Sequence, residues 1–556
     1  MKSRIIRTIA AAAVVCAHAL CLGLPGAFGA VYEFIPDQST VTQTNFFGGI
    51  DETYSVTGHF GLAVDFEAGT ARLGTVDAML SDGPYLETRD LAEIFRMDEL
   101  VATSVGGATV TFELPQPPDP NSHEDIIAIS FVFDGDSVHI TGGRQIAALG
   151  SSYFELDAAA VILHKVCYVD DDAAGANDGS SWTDAYRHLQ DALLNASAGT
   201  EIRLARGVYK PHLNSYSAAP PSRTDTFELK SGVSLKGGYA GVTGADPDAR
   251  DVALYRTVLS GDLDGNDGAG VDHDDPRRQD NAYHVVVGIN TDRTTLIEGL
   301  TITAGSANGG YRHGYASDDY GGGMYLDRGG PVIRECTFSA CSAYADEGAG
   351  GAGMYNEDGS PMLVDCLFKG NTADTGIPDH GGGNGAGLLN RHGEPTLIRC
   401  TFTENSAAGN DGGGFFNSGG RATLTDCTFI ENSARSAGGG LCNWWAEELA
   451  LTNCRFIRNE VLVGEGGGMF NRAMVAALTG CEFIGNHTAR HGGAMQTRGV
   501  EVTLTSCLFS GNRADGMGGG LFLTNTNVKM ANCTFSANSG PKANAIVLYS
   551  YKNPEP

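Results

Sequence analysis

Eight cysteines in the C-terminal half stand at one fixed place in a repeating unit, and nothing else in the chain restricts its folding as strongly. They are Cys336, Cys366, Cys400, Cys427, Cys454, Cys481, Cys507 and Cys533, separated by 30, 34, 27, 27, 27, 26 and 26 residues. Phenylalanine follows every one of them by two positions, from Phe338 to Phe535. Asparagine follows by five in seven of the eight units, from Asn371 to Asn538, with Cys341 in its place in the first. An aliphatic or methionine side chain precedes by three, from Ile333 to Met530. One unit therefore reads GGGMYN, a variable turn, then PxLxxCxFxxNxA.

These offsets dictate geometry. Residues two apart share one face of a strand, so cysteine and phenylalanine point the same way. The aliphatic residue three before the cysteine has the wrong parity unless the chain bends between them. The residue just before the cysteine supplies that bend: Asp365, Asp426, Asn453, Gly480, Ser506 and Asn532 form turns or tolerate the left-handed region, with Glu335 and Arg399 as exceptions. A second corner holds the asparagine. A glycine-rich passage then leads to a third strand opened by Met324, Met354, Leu388, Phe415, Leu441, Met469, Met495 or Leu521. No segment within a unit shows helical periodicity, which excludes leucine-rich and helical repeats. The fold expected is all-β: a right-handed parallel β-helix with three short strands per coil, preceded by a small β-sandwich or barrel domain.

Stacking coils at ~4.8 Å brings like side chains into register. Phenylalanines then stack in a column and asparagines pass amide hydrogen bonds along a ladder. A second asparagine column, Asn356, Asn390, Asn417, Asn443 and Asn471, follows the third strand. Cysteines whose Cα–Cβ vectors run parallel are poorly aimed for disulfides, and no paired CxxC spacing suits zinc. A reduced, buried thiol ladder is expected.

Residues 1–29 have the parts of a secretory signal peptide: basic Lys2, Arg4 and Arg7, an apolar run from Ile9 to Leu24, and the small-x-small pattern Ala27-Phe28-Gly29. No later segment is long and apolar enough to span a bilayer. Secretion, or display at the outer cell surface, is the expected localisation. Residues 30–165 alternate in the manner of a separate all-β domain, and Tyr32 to Phe66 is similar to YceI-like lipid-binding barrels. Residues 166–284 should hold a cap helix and the first, irregular coils. Trp182, Ala185, Tyr186, Leu189, Leu193 and Ala196 fall at helical spacing, with Ser181 placed to cap the start. Residues 285–550 carry the repeats, starting with the degenerate unit Leu296 to Ala307, where Leu300 takes the cysteine column and Ile302 the phenylalanine column.

The run YVDDDAAGANDGSSWTDAYRHLQDAL, then GVSLKGGYAG, SGDLDGNDG and the GGG…CxFxxN units, resembles right-handed parallel β-helix repeat proteins of the pectin-lyase-like superfamily, as found in secreted planctomycete-type proteins. The GG and FxxN elements are similar to the repeats of polymorphic outer-membrane proteins. The resemblance spans roughly residues 166 to 545 and implies the fold. It leaves activity open among lyases, hydrolases, adhesins and members of unassigned role.

A net charge of −29 disfavours nucleic-acid binding. Of the hydrolase motifs of this fold, Asn290-Thr291-Asp292 matches one element, but Asp318-Asp319 follows His313-Gly314 instead of preceding it. The Arg-His-Gly triplets at 312, 391 and 490 lack the leading glycine. The best metal candidate is Asp262-Leu263-Asp264-Gly265-Asn266-Asp267, which would present Asp262, Asp264, Asn266 and Asp267 to Ca²⁺. It begins like an EF-hand loop, but Asp267 occupies the glycine position and no Glu closes it. Trp444 and Trp445 interrupt one coil and either stack on sugar rings or fill the core at a longer turn. The leading expectation is a non-enzymatic β-helix that binds a polysaccharide or cell-surface glycan along its flank. The alternative is a polysaccharide lyase or glycoside hydrolase acting on acidic polysaccharides.

Overall fold

The computed structural model describes residues 166–550 with their side chains, apart from 217–218, 269, 273, 311–317, 346–347, 376–381 and 500, and backbone strands within 28–165. The basic and apolar parts of the expected export signal lie outside the described residues. No helix among the described residues is long and apolar enough to cross a membrane. Two units separate by packing, residues 1–167 with 198–201 and residues 168–197 with 202–556.

The first unit is antiparallel. Ile50–Asp65 pairs with Phe28–Glu33, Ser39–Asn45 and Thr70–Ser81. Strands Val101–Gly106, Thr109–Glu113, Ala128–Asp134, Ser137–Thr141 and Ser152–Ala158 pair in sequence order, and the last returns to Ser39–Asn45.

The second unit is a parallel β-helix. Each coil contributes an aliphatic strand, a cysteine–phenylalanine strand and a third strand to three long parallel sheets. One coil shows how the sequence writes the path: Thr396–Ile398, a corner at Arg399, Thr401–Thr403, a corner at Glu404, Ser406–Ala407, a glycine passage, and Phe415–Ser418. The bend before the cysteine is present in every repeat, and the two exceptions obey it: Glu335 has φ 49° and Arg399 has φ 51°. Left-handed backbone costs a non-glycine residue roughly 1–2 kcal/mol. Strand pairing on both sides offsets it, since the Arg399 N–H donates to Thr425 O (2.9 Å) and the Thr401 N–H to Cys366 O (2.8 Å). A second left-handed corner, four residues after the cysteine, runs through Ala340, Glu404, Glu431 and Arg458, where no turn-forming residue announces it.

The structure differs from the expectation of three strands per coil. A fourth parallel sheet of eight short strands, from Ser306–Ala307 to Arg513–Ala514, follows the asparagine corner. Its inward column is Ala307, Ala343, Ala373, Ala407 and Ala434, all buried. Small side chains suit it because the facing glycine passage lies so close. A Cβ on Gly322 would meet the carbonyl oxygen of Ser342, in the fourth sheet, at 2.5 Å.

Inside, phenylalanine rings from Phe338 to Phe535 stack with centroids 4.6 to 5.1 Å apart and planes within 7°. Leu300 and Ile302 align with Cys336 and Phe338, as the degenerate repeat implied. The cysteine column is a set of free thiols. Each S–H points at the aliphatic residue's carbonyl one coil back, as in Cys427 to Leu397 O at 3.6 Å and Cys454 to Leu424 O at 3.5 Å. Burial pushes the Cys336 thiol up to about 12 and Cys341 to about 11, so both stay protonated and inert. Outside the third sheet lies a second apolar column, Tyr325, Tyr355, Leu389, Phe416, Cys442 and Phe470. It continues through Gln496 to Phe522.

The cap helix is shorter than the spacing predicts. It spans Leu189–Asn195, and His188 gives its first turn no side-chain cap. Ser181 caps a tight turn instead: its hydroxyl accepts the Asp184 N–H at 3.1 Å and donates to the Asp184 carboxylate at 3.0 Å. Trp182 packs between Tyr168 and Tyr239.

Three outcomes follow. Asn432→Ala removes four ladder hydrogen bonds in the middle of the stack and lowers stability by about 3–5 kcal/mol in denaturant melts. Gln496 is fully buried with neither amide atom bonded. Gln496→Met should therefore raise the melting midpoint by the equivalent of about 1–2 kcal/mol, and a lower midpoint would refute that account. Thiol titration of denatured, unreduced protein should find the eleven cysteines of the described residues free, whereas the native protein should offer, of these, only the partly exposed Cys533.

Candidate functional site

Because coils stack in register, the last residue of each third-sheet strand forms an outward row: Asp327, Glu357, Arg391, Ser418, Trp444, Arg472, Arg498 and Thr524. The next residue is a left-handed corner at Arg328, Asp358, His392, Gly419 and Trp445. A residue in that conformation throws its side chain outward from the strand end, and here it delivers His392 and Trp445 to the flank.

The two tryptophans behave differently. Trp444 is half-buried and stacks on Phe470 with centroids 5.4 Å apart and planes at 24°. Trp445 is 61% exposed and meets Trp444 edge-on, centroids 6.4 Å apart at 90°. Trp444 thus packs on the apolar column while Trp445 stays exposed, one indole bracing the other. The structure adds a partner from the next coil: the Arg472 guanidinium carbon lies 3.8 Å from the Trp445 ring centroid and 5.0 Å from that of Trp444. Arg472 is 28 positions beyond Trp444, and only the coil length brings them together.

Further back along the row is a polar cluster that the sequence reading missed. The Tyr355 hydroxyl donates a short hydrogen bond to Glu357. Arg391 Nε lies 3.7 Å from Glu357 Oε1, and His392 Nδ1 lies 3.8 Å from Glu357 Oε1 and 3.8 Å from Asp358 Oδ1. Burial, reinforced by Glu357, raises Tyr355 far above the ordinary tyrosine value, and burial raises Tyr325 beside it to about 12.

The acidic loop is organised by its own backbone. Asp262 accepts the N–H groups of Gly265 (2.7 Å), Asn266 (3.0 Å) and Asp267 (3.1 Å). Asp264 and Asn266 are exposed, and Asp280 accepts from the Asp264 N–H and the Asn266 amide. Asp267 turns to Arg278 (2.9 Å) and Asn281 (2.9 Å). Arg278 is 1% exposed and donates also to Gly305 O and Ala340 O. Burial still holds the Asp267 carboxyl above its ordinary value, so desolvation outweighs the pairing. Among the described residues, groups of three ligand atoms converge elsewhere, at Glu357, Asp358 and His392 and at Asp170, Asp171 and Asp172. Two backbone amides already occupy the Asp170 carboxylate, which accepts the Val242 and Asp172 N–H groups.

The remaining motif matches sit at buried positions and in hydrogen-bonded turns. Asn290 bonds Arg328, Thr291 is buried, and Asp292 closes a turn on the Thr294 N–H. Asp318 lies 3.6 Å from the buried His284, and Asp319 accepts the Gly310 N–H. His491 stacks on Phe522 and accepts the Met517 N–H. The triplet at 312 lies outside the described residues.

A family model described as a right-handed β-helix region matches residues 379–553. No curated protein matches the chain. Among solved structures, pectate lyase Pel9A is 13% identical, with 68% of this chain and 81% of that chain covered and a TM-score of 0.30. The Dettilon tailspike protein is 9% identical, with 69% and 68% covered and a TM-score of 0.31. PfbA, a surface adhesin of Streptococcus pneumoniae, is 10% identical, with 64% and 87% covered and a TM-score of 0.29. At such identities and TM-scores neither substrate nor activity is carried over from these structures.

Removing one partner of a buried ion pair strands the other charge. Asp267→Ala should lower stability by about 3 kcal/mol in a denaturant melt, while Asp264→Ala at the exposed loop tip should change it by less than about 0.5 kcal/mol.

Proposed function

We propose that this protein is an exported, non-enzymatic β-helix that binds glycans along the outer row of its third sheet, with Trp444 and Trp445 as the platform. One observation carries the reading: Trp445 presents an exposed indole held rigid by Trp444, which is itself stacked on Phe470. An aromatic face so fixed offers large apolar area to a sugar ring at little entropic cost. A row that repeats every coil, at ~4.8 Å, suits an extended chain lying along the solenoid axis better than a compact ligand.

A second reading, cleavage of an acidic polysaccharide, is favoured by the cluster three coils back. Tyr355, Glu357, Arg391 and His392 bring a phenol, a carboxylate, a guanidinium and an imidazole together, which are the group types that acid–base cleavage uses.

Affinity electrophoresis through gels containing a panel of polysaccharides tests both. Retention without product release is expected, and Trp445→Ala should weaken it at least tenfold, about 1.4 kcal/mol, without altering thermal stability. Unchanged retention by Trp445→Ala would remove the platform from the site. Release of shortened chains, abolished by Glu357→Gln, would establish the second reading in place of the first.

A further inference from the structure

The platform contains a cation whose surroundings are unlike those of the other flank arginines. Charged side chains pair across neighbouring coils, Arg399 with Asp365 at 2.6 Å and Arg455 with Glu482 at 2.9 Å around the second sheet, and, on the third-sheet flank, Arg391 with Glu357 at 3.7 Å and Arg498 with Glu465 at 2.8 Å. In a chain with 66 acidic and 37 basic side chains, such pairing is easily found. Arg472 has no carboxylate partner among the described residues, and its contacts are the faces of Trp444 and Trp445. The row places it beside Arg498, so the nearest charge in register is like, not opposite.

Ring faces hold a guanidinium by cation–π attraction but accept none of its five N–H donors. The fork therefore stays free to bind two oxygens of an oxyanion in bidentate fashion, which is the geometry guanidinium serves best. The indoles also partly desolvate it, which disfavours its charge and strengthens whatever anion neutralises it.

We infer that the platform selects anionic glycans, chains whose sugars carry carboxylate or sulfate, with Arg472 binding the anionic group while Trp445 stacks on a ring. This rests on the glycan-binding reading and specifies its ligand. Arg498, held by Glu465, sits one coil on and would meet the next anionic unit of an extended chain.

The full-length protein reports on itself, since two of its three tryptophans form the platform. Intrinsic fluorescence is titrated with uronate, sulfated and neutral oligosaccharides of equal length, at two salt concentrations. At least one anionic series should bind ten-fold or more tighter than the neutral one and weaken with salt; which of the two does so identifies the anion. Arg472→Gln should erase that preference, and Arg472→Lys should restore part of it. If neutral chains bind equally well and Arg472→Gln has no effect, glycan binding stands and selection by charge is overturned. If no series changes the fluorescence of wild type, both fall.

Discussion

Where each coil leaves the phenylalanine strand it turns through a left-handed residue, and several backbone groups lose the partners a straight strand would give them. In every repeat but the first, the asparagine amide that follows bonds such groups on the preceding coil. Asn405 donates to Phe368 O and to the Asn432 amide oxygen, while its own oxygen accepts the backbone and side-chain N–H groups of Asn371. Two donors and two lone pairs are thus used in full, away from water, where an unmade bond costs about 1–3 kcal/mol. No shift of one coil against the next preserves that set. Register follows from it, and register makes the phenylalanine stack, the thiol column and the alanine column continuous.

The same register builds the outer flank. Because a position in one strand lies over its counterpart in the next, side chains 26 to 34 residues apart become neighbours in a straight row. The core can be kept constant while outward positions change, since an outward residue only has to tolerate those directly above and below it. Trp444 in the row and Trp445 at its corner therefore occupy places where other coils carry Ser418 and Gly419 with no change in path. A site assembled this way is linear, and its spacing is that of the scaffold.

This arrangement explains what could and could not be read from the residues. The columns were legible because phenylalanine, cysteine and asparagine keep fixed offsets, and even Glu335 and Arg399 adopt the bend that their neighbours imply. The fourth sheet was not, because Ser406–Ala407 is too short to alternate and its alanines carry little hydrophobic signal. The apolar column through Tyr355 and Phe416 hid for the opposite reason: its strands are buried on both faces and show no alternation at all. Ser181 was misplaced because the serine that starts a tight turn looks the same in sequence as one that caps a helix. In the acidic loop the EF-hand-like spacing is real, yet Asp262 spends its oxygens on three backbone amides, which a pattern of residue types does not reveal. The tryptophan pair was visible as a dipeptide, whereas Arg472 becomes its neighbour only when the coil is closed.

Stacking one unit on another has an electrostatic consequence. A charged residue repeated in register would place like charges about one strand spacing apart, which destabilises a sheet. The solenoid avoids this by alternating sign between coils, as in Arg399 over Asp365, Arg458 over Glu431 and Arg455 over Glu482. The third-sheet row keeps the rule at Glu357 and Arg391 and breaks it twice, at Asp327 and Glu357, where Arg328 and Arg391 supply the opposite charges, and at Arg472 and Arg498. Glu465 compensates one member of that pair, and indole faces, which carry no net charge, hold the other. Folding gains little from such an exception, since a carboxylate at either position would satisfy the scaffold as it does elsewhere. An exposed aromatic face and an uncompensated cation at the same break in the pattern are therefore better explained by what the surface meets than by what the fold requires.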